Sequence, residues 1–256
     1  MQMPDDYIAF CEEKLWCAWK QQTLSMPPRF DREAAPEPYL YFGADTNRLV
    51  ALTTNPGGTM SHQRHAAVLA GLGPLRARDD YETVARKLGD FYQHEARLNR
   101  AARSRIAKLL KLSSWTNRDG VLQVEAVPFH SPSLPGKRAL LNEISKGGPL
   151  EEYAKHLRTF LKSLPVVSPQ AAPTGAPLGR ETVTRSQWLT WIAKLAGLDL
   201  EDAKFVPLVG KGSKTTCAAL VSFEDVNPKA LVLMMGAAGL PGEKGLRKLA
   251  AALRES

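Results

Sequence analysis

Residues 49–58 read LVALTTNPGG. A short unbroken apolar run, closed by a proline and two glycines, predicts a strand buried on both faces that ends in a tight turn. Residues 230–242, ALVLMMGAAGLPG, repeat the pattern. Two further apolar runs end alike: residues 121–127 pass into EAVPFHS (125–131), and residues 204–209 carry FVPLVG (205–210). These four runs are the expected strands.

Helical patterns alternate with them. Apolar faces at helical spacing predict helices over residues 4–22, 61–72, 80–112 (broken near Asp90), 137–146, 150–163, 186–196, 214–223 and 243–254. Asp5 or Asp6 can cap the first, and Thr184 or Ser186 opens the helix over 186–196. Residues 23–38 are Pro-rich and irregular. Residues 165–182 hold four prolines and read as a flexible surface loop. The alternation predicts an α/β protein, a three-layer αβα sandwich on a central, mostly parallel, four-stranded sheet. One domain over residues 1–256 is expected, because strands on both sides of the Pro-rich loop read as one sheet. In such a sheet, ligands bind in the crevice outside the carboxyl ends of the strands, where the four segments would meet.

Composition narrows the partners. The 256-residue chain is 44% hydrophobic, enough for a sizeable core. Its formal charge of +8 and pI of about 9.4 favour a polyanionic partner. The three cysteines, Cys11, Cys17 and Cys217, are too few and too scattered for a zinc or iron–sulfur site, and suit a reducing cytoplasm. Residues 1–10 lack the cationic start and apolar core of a secretory signal, and no run reaches the ~18 apolar residues of a membrane span.

The glycines after Asn55 let a ligand approach the backbone, and the Asn55 amide offers both a donor and an acceptor. Between residues 97 and 118 there are seven Arg or Lys and no acid. On a helix, Arg97, Arg100, Lys108 and Lys111 share one face, while Leu98, Ala102, Ile106 and Leu109 share another. That is a docked helix with a cationic outer stripe, of the kind that neutralises phosphates. Lys211 and Lys214, in KGSK at an expected helix start, offer a second phosphate site. The rest of a nucleotide-triphosphate loop is missing.

The ordered motifs resemble those of the uracil-DNA glycosylase superfamily, above all its mismatch-specific and single-strand-selective branches. The resemblance spans residues 40–256 by order and spacing. Asn55-Pro56-Gly57 matches the first motif. Glu125-Ala126-Val127-Pro128 stands where relatives have Asn-X-X-Pro. Pro207-Leu208-Val209-Gly210 resembles the third strand end, and Gly236-Ala237-Ala238-Gly239-Leu240 matches the spacing of the last motif, with Leu240 as the wedge. The resemblance implies a monofunctional glycosylase that needs no metal or other cofactor. It would act as a monomer on duplex or single-stranded DNA. Asn55 would position the attacking water, and Thr54 would lie beside the base.

The departures bear on the substrate. The family's asparagine reads uracil, whereas Glu125, when ionised, only accepts. It would oppose uracil O4 but accept from the N4 amine of cytosine; protonated, it could also donate to cytosine N3. Gly236 replaces a His or Asn, and Thr53 replaces the usual Gly. The loss of a side chain at Gly236 leaves room for a C5-substituted cytosine, such as glucosylated hydroxymethylcytosine, and so for a role against modified phage DNA. His130 would compensate for the missing histidine. His65 or His62 would stack on the base, with Tyr39, Tyr41 and Phe42 as other stackers. Other readings stand beside this one: a salt-bridged structural Glu125, a uracil or thymine mismatch repair enzyme, an inactive DNA-binding relative, or a small-molecule enzyme using the same crevice.

Overall fold

The computed structural model describes residues 10, 14, 41–42, 50–54, 122–127, 136–209, 217–222, 227–235 and 241–253. In chain order its elements are β1 (Tyr41–Phe42), β2 (Val50–Thr53), β3 (Leu122–Glu125), α1 (Lys137–Ile144), α2 (Pro149–Lys162), β4 (Val166–Ala171), α3 (Arg180–Thr184), α4 (Gln187–Leu195), β5 (Lys204–Leu208), β6 (Cys217–Ser222), β7 (Lys229–Met234) and α5 (Glu243–Ala252). The helices expected over 61–72 and 80–112 lie outside the described residues, as does that over 4–22 except for Phe10 and Lys14. The chain forms two compact units: residues 1–46, 54–100 and 122–157 make one, and residues 47–53, 101–121 and 158–256 the other.

In the first unit, β1 and β3 pair antiparallel, Tyr41 opposite Val124 and Phe42 opposite Gln123. Helix α2 begins here. Pro149 occupies its first position, where a missing N–H costs nothing, and Glu151 and Glu152 complement the positive end of the helix dipole. Leu150, Tyr153, Leu157 and Leu161 recur on one stripe and are buried. Burying a side chain of this size contributes about 1.5–3 kcal/mol.

The second unit is a five-stranded sheet in the order β2-β4-β7-β6-β5. Strands β2, β4 and β7 are parallel, β6 is antiparallel to β7, and β5 is antiparallel to β6. Four of the five therefore run the same way, and β6 alone opposes them. Helices flank the sheet. The stripe of Leu246, Leu249 and Leu253 packs on one face against Val167, Val232 and Met234. On the alternate face of β4, Gln170 meets Trp188 of α4. The Ser186 hydroxyl caps α4, accepting from the Leu189 N–H at 3.3 Å, as the sequence predicts for one of its two candidate caps.

Three expectations are corrected. Seven strands, not four, lie among the described residues. The helix expected over 214–223 is instead strand β6 from Cys217 onward, buried along its whole length. A short apolar run cannot be told from a buried helix by periodicity alone. The Pro-rich loop expected over 165–182 is, in its first part, strand β4, paired on both sides between β2 and β7.

Pro169 fits inside that strand for a specific reason. The Val50 N–H donates to the Pro165 carbonyl at 2.8 Å, and Val50 and Ala51 pair with Val166 and Val167. Continued, this parallel ladder would aim the N–H of residue 169 at the carbonyl of Leu52. Proline has no N–H. The Ser168 hydroxyl donates to the Leu52 carbonyl in its place, at 2.9 Å. The other side of β4 keeps its ladder with β7 from Val166 to Ala171.

A buried lysine closes the opposite end of the sheet. Lys229 Nζ donates to the carbonyls of Leu161 (2.6 Å), Lys162 (3.2 Å) and Leu164, satisfying carbonyls at the end of α2. This cluster lies at the amino end of β7, away from the carboxyl strand ends.

Candidate functional site

Of the sequence-predicted catalytic, base-edge and phosphate-binding residues, Thr54 and Glu125 fall within the described residues, and the first unit brings them together; Tyr41 and Phe42, the other stacking candidates described, form β1. The Val127 N–H donates to the Thr54 carbonyl at 2.9 Å. The residue directly before Asn55 is thus tied to the turn that follows Glu125. Glu125 itself is 1% exposed, between the buried Val124 and Ala126. A carboxyl group at this depth costs several kcal/mol unless its environment compensates it.

Tyr153 supplies the support that sequence reasoning missed. Its hydroxyl donates to the Glu125 backbone carbonyl at 2.6 Å, from inside the unit. A buried tyrosine needs a partner for its hydroxyl, and Tyr153 stands on the apolar stripe of α2. That polar residue amid leucines was the available signal.

In the second unit, the carboxyl ends of β2, β4, β7 and β5 lie at one end of the sheet. Phe205 to Leu208 of FVPLVG end the edge strand β5, with β6 between it and β7. Its carboxyl end is still bound to the segment leading into α5: the Gly242 N–H donates to the Val209 carbonyl at 2.8 Å. At the carboxyl end of the buried β7, Met235 is 46% exposed.

Asn55, His65, Arg97, Arg100, Lys108, Lys111, His130, Lys211, Lys214, Gly236 and Leu240 lie outside the described residues. Among the described residues, no group of three His, Cys, Asp or Glu is placed to hold a metal ion, and no helix is long and apolar enough to cross a membrane. No family model, no curated protein and no solved structure matches the chain.

Proposed function

We propose that this chain is a monofunctional DNA glycosylase on a uracil-DNA glycosylase-like three-layer αβα fold, acting on a C5-substituted cytosine. The observation that carries the reading is the buried Glu125, whose strand-end turn is hydrogen-bonded to Thr54 immediately before Asn55-Pro56-Gly57. In this reading the base is addressed by Glu125 and its sugar by Asn55.

In this reading the nucleotide leaves the stack, and the cytosine edge meets Glu125, which accepts from N4. Asn55 orients a water molecule at C1′. As the C1′–N bond breaks, its electron pair leaves with the base and the sugar gains positive charge; the water oxygen bonds to C1′ and releases a proton, which ends on the departed base. His130 stabilises that leaving anion. The stripe of Arg97, Arg100, Lys108 and Lys111, with Lys211 and Lys214, holds the phosphates, and Leu240 fills the space left by the flipped base. A glucosylated hydroxymethylcytosine substrate would make the protein a cytoplasmic defence enzyme against modified phage DNA.

The test is incubation with oligonucleotides carrying uracil, a T·G mismatch, 5-methylcytosine, 5-hydroxymethylcytosine or its glucosylated form. The expected result is alkali-labile abasic sites at a modified cytosine, lost in Asn55→Ala. Intact strands from every substrate would overturn the reading. If they came with salt-sensitive DNA binding, they would point to the inactive DNA-binding relative.

A further inference from the structure

Beyond Glu125 and Asn55, the second unit contains a one-way hydrogen-bond relay that ends on β2. The Trp188 indole N–H points at Gln170 Oε1 across a long 3.5 Å. Gln170 Nε2 donates to Ser168 Oγ at 3.2 Å, and Ser168 Oγ donates to the Leu52 carbonyl at 2.9 Å. Trp188, Gln170 and Ser168 are all buried. The chemistry of the groups fixes the direction. Indole can only donate, so the Gln170 amide turns its oxygen to it and its NH2 toward Ser168. The serine hydroxyl has one proton and already accepts from Gln170, so that proton goes to Leu52.

Leu52 is three residues before Asn55. At this point of β2 the backbone cannot supply the bond, because its ladder donor would be the N–H that Pro169 lacks. A serine followed by a proline has thus moved the last tie of β2 from the backbone to a side chain that is oriented from α4. An ordinary ladder bond would hold the strand equally well, but with no link to the helix.

We infer that Ser168, oriented by Gln170 and Trp188, is a positioning residue that fixes the carboxyl end of β2, three residues before Asn55 in the chain. The inference rests on the glycosylase reading for its catalytic consequence. Misplacing a reacting group by about 1 Å costs on the order of 100-fold in rate. Ser168→Ala should therefore lower kcat for base excision by roughly 10- to 100-fold and leave KM for DNA nearly unchanged.

The decisive variant is the double substitution Ser168→Ala/Pro169→Ala. It removes the hydroxyl but restores a backbone N–H aimed at Leu52, and should recover most of the kcat. If Ser168→Ala alone does not fold, the double variant should fold. Amide hydrogen exchange at Thr53 and Thr54 is measured alongside, since it does not depend on any substrate. Exchange should be faster in Ser168→Ala and return to the wild-type rate in the double variant. Wild-type exchange in Ser168→Ala, or no recovery in the double variant, would overturn the positioning role. A wild-type protein that excises no base, yet shows the exchange pattern, would overturn the glycosylase reading and leave the relay's hold on β2 supported.

Discussion

Ser168 donates its hydroxyl to the carbonyl of Leu52, 2.9 Å away on the neighbouring strand, where Pro169 cannot. Both groups are buried, so the carbonyl has no water to turn to. Leaving such a group without a donor costs about 1–3 kcal/mol. Ser168→Ala should lower the unfolding free energy by that amount, read from the urea midpoint at unchanged slope. A midpoint equal to wild type would show that Leu52 does not depend on this bond.

Gly245 allows α5 to lie directly on the end of β5. A Cβ placed there would stand 2.5 Å from the Val209 carbonyl oxygen and 3.1 Å from the Val209 nitrogen. Neither is the end of a flexible side chain, so the helix would have to move. Gly245→Ala should therefore destabilise the protein by about 1–3 kcal/mol, although alanine is the better helix former. It should also speed exchange of the Gly242 amide, whose N–H is bound to the Val209 carbonyl. Greater stability in the alanine variant would contradict this close approach.

Tyr153 acts on Glu125 through the backbone. Tyr153→Phe keeps the ring packed on the stripe of α2 and removes only the hydroxyl that donates to the Glu125 carbonyl. The expected loss is about 1 kcal/mol by denaturant titration. Under the proposed chemistry, kcat should fall more than DNA affinity changes. An equal loss in both would mean that the hydroxyl supports the fold alone.

Cys217 should be chemically silent in the native protein. It is buried at the start of β6, and burial pushes its thiol up to about 11. Only the thiolate reacts, and at pH 8 this leaves about one thiolate in a thousand. With Cys11 and Cys17 replaced by serine, an aromatic disulfide reagent should label nothing at pH 8 until urea unfolds the chain. Labelling should begin in the folded protein only as the pH rises toward that value. Prompt native labelling at pH 8 would show that β6 is accessible.

The buried strands were legible where hydropathy alone decides. Val50–Thr53 of LVALT forms β2 and Ala230–Met234 of ALVLMM lies in the buried β7, and the helices over 137–146, 150–163, 186–196 and 243–254 correspond to α1, α2, α4 and α5. The errors fall where two local rules conflict. Val166 and Val167 favour a strand, but Pro165 and Pro169 argue for a loop. The tertiary solution, a serine hydroxyl in place of an amide N–H, cannot be read from spacing. CAALVS carries equal signals for helix and strand, and its antiparallel place between β5 and β7 decides the matter. In the candidate site, Glu125 stood out because it stands where the Asn-X-X-Pro pattern would carry an asparagine. Tyr153 did not, because its partner is a backbone carbonyl 28 residues away in the chain.

The central claim is that Glu125 selects a cytosine-type base, and one comparison addresses it most directly. Excision rates are measured on matched oligonucleotides carrying uracil or a C5-substituted cytosine, for wild type and for Glu125→Gln. The glutamine keeps the size but adds donors, and a mismatched buried hydrogen-bonding group costs about 1–3 kcal/mol, or roughly 5- to 150-fold in rate. Wild type should prefer the modified cytosine, and Glu125→Gln should lose that preference by such a factor. Efficient removal of plain uracil by wild type, with no change in Glu125→Gln, would contradict it and leave Glu125 a structural residue.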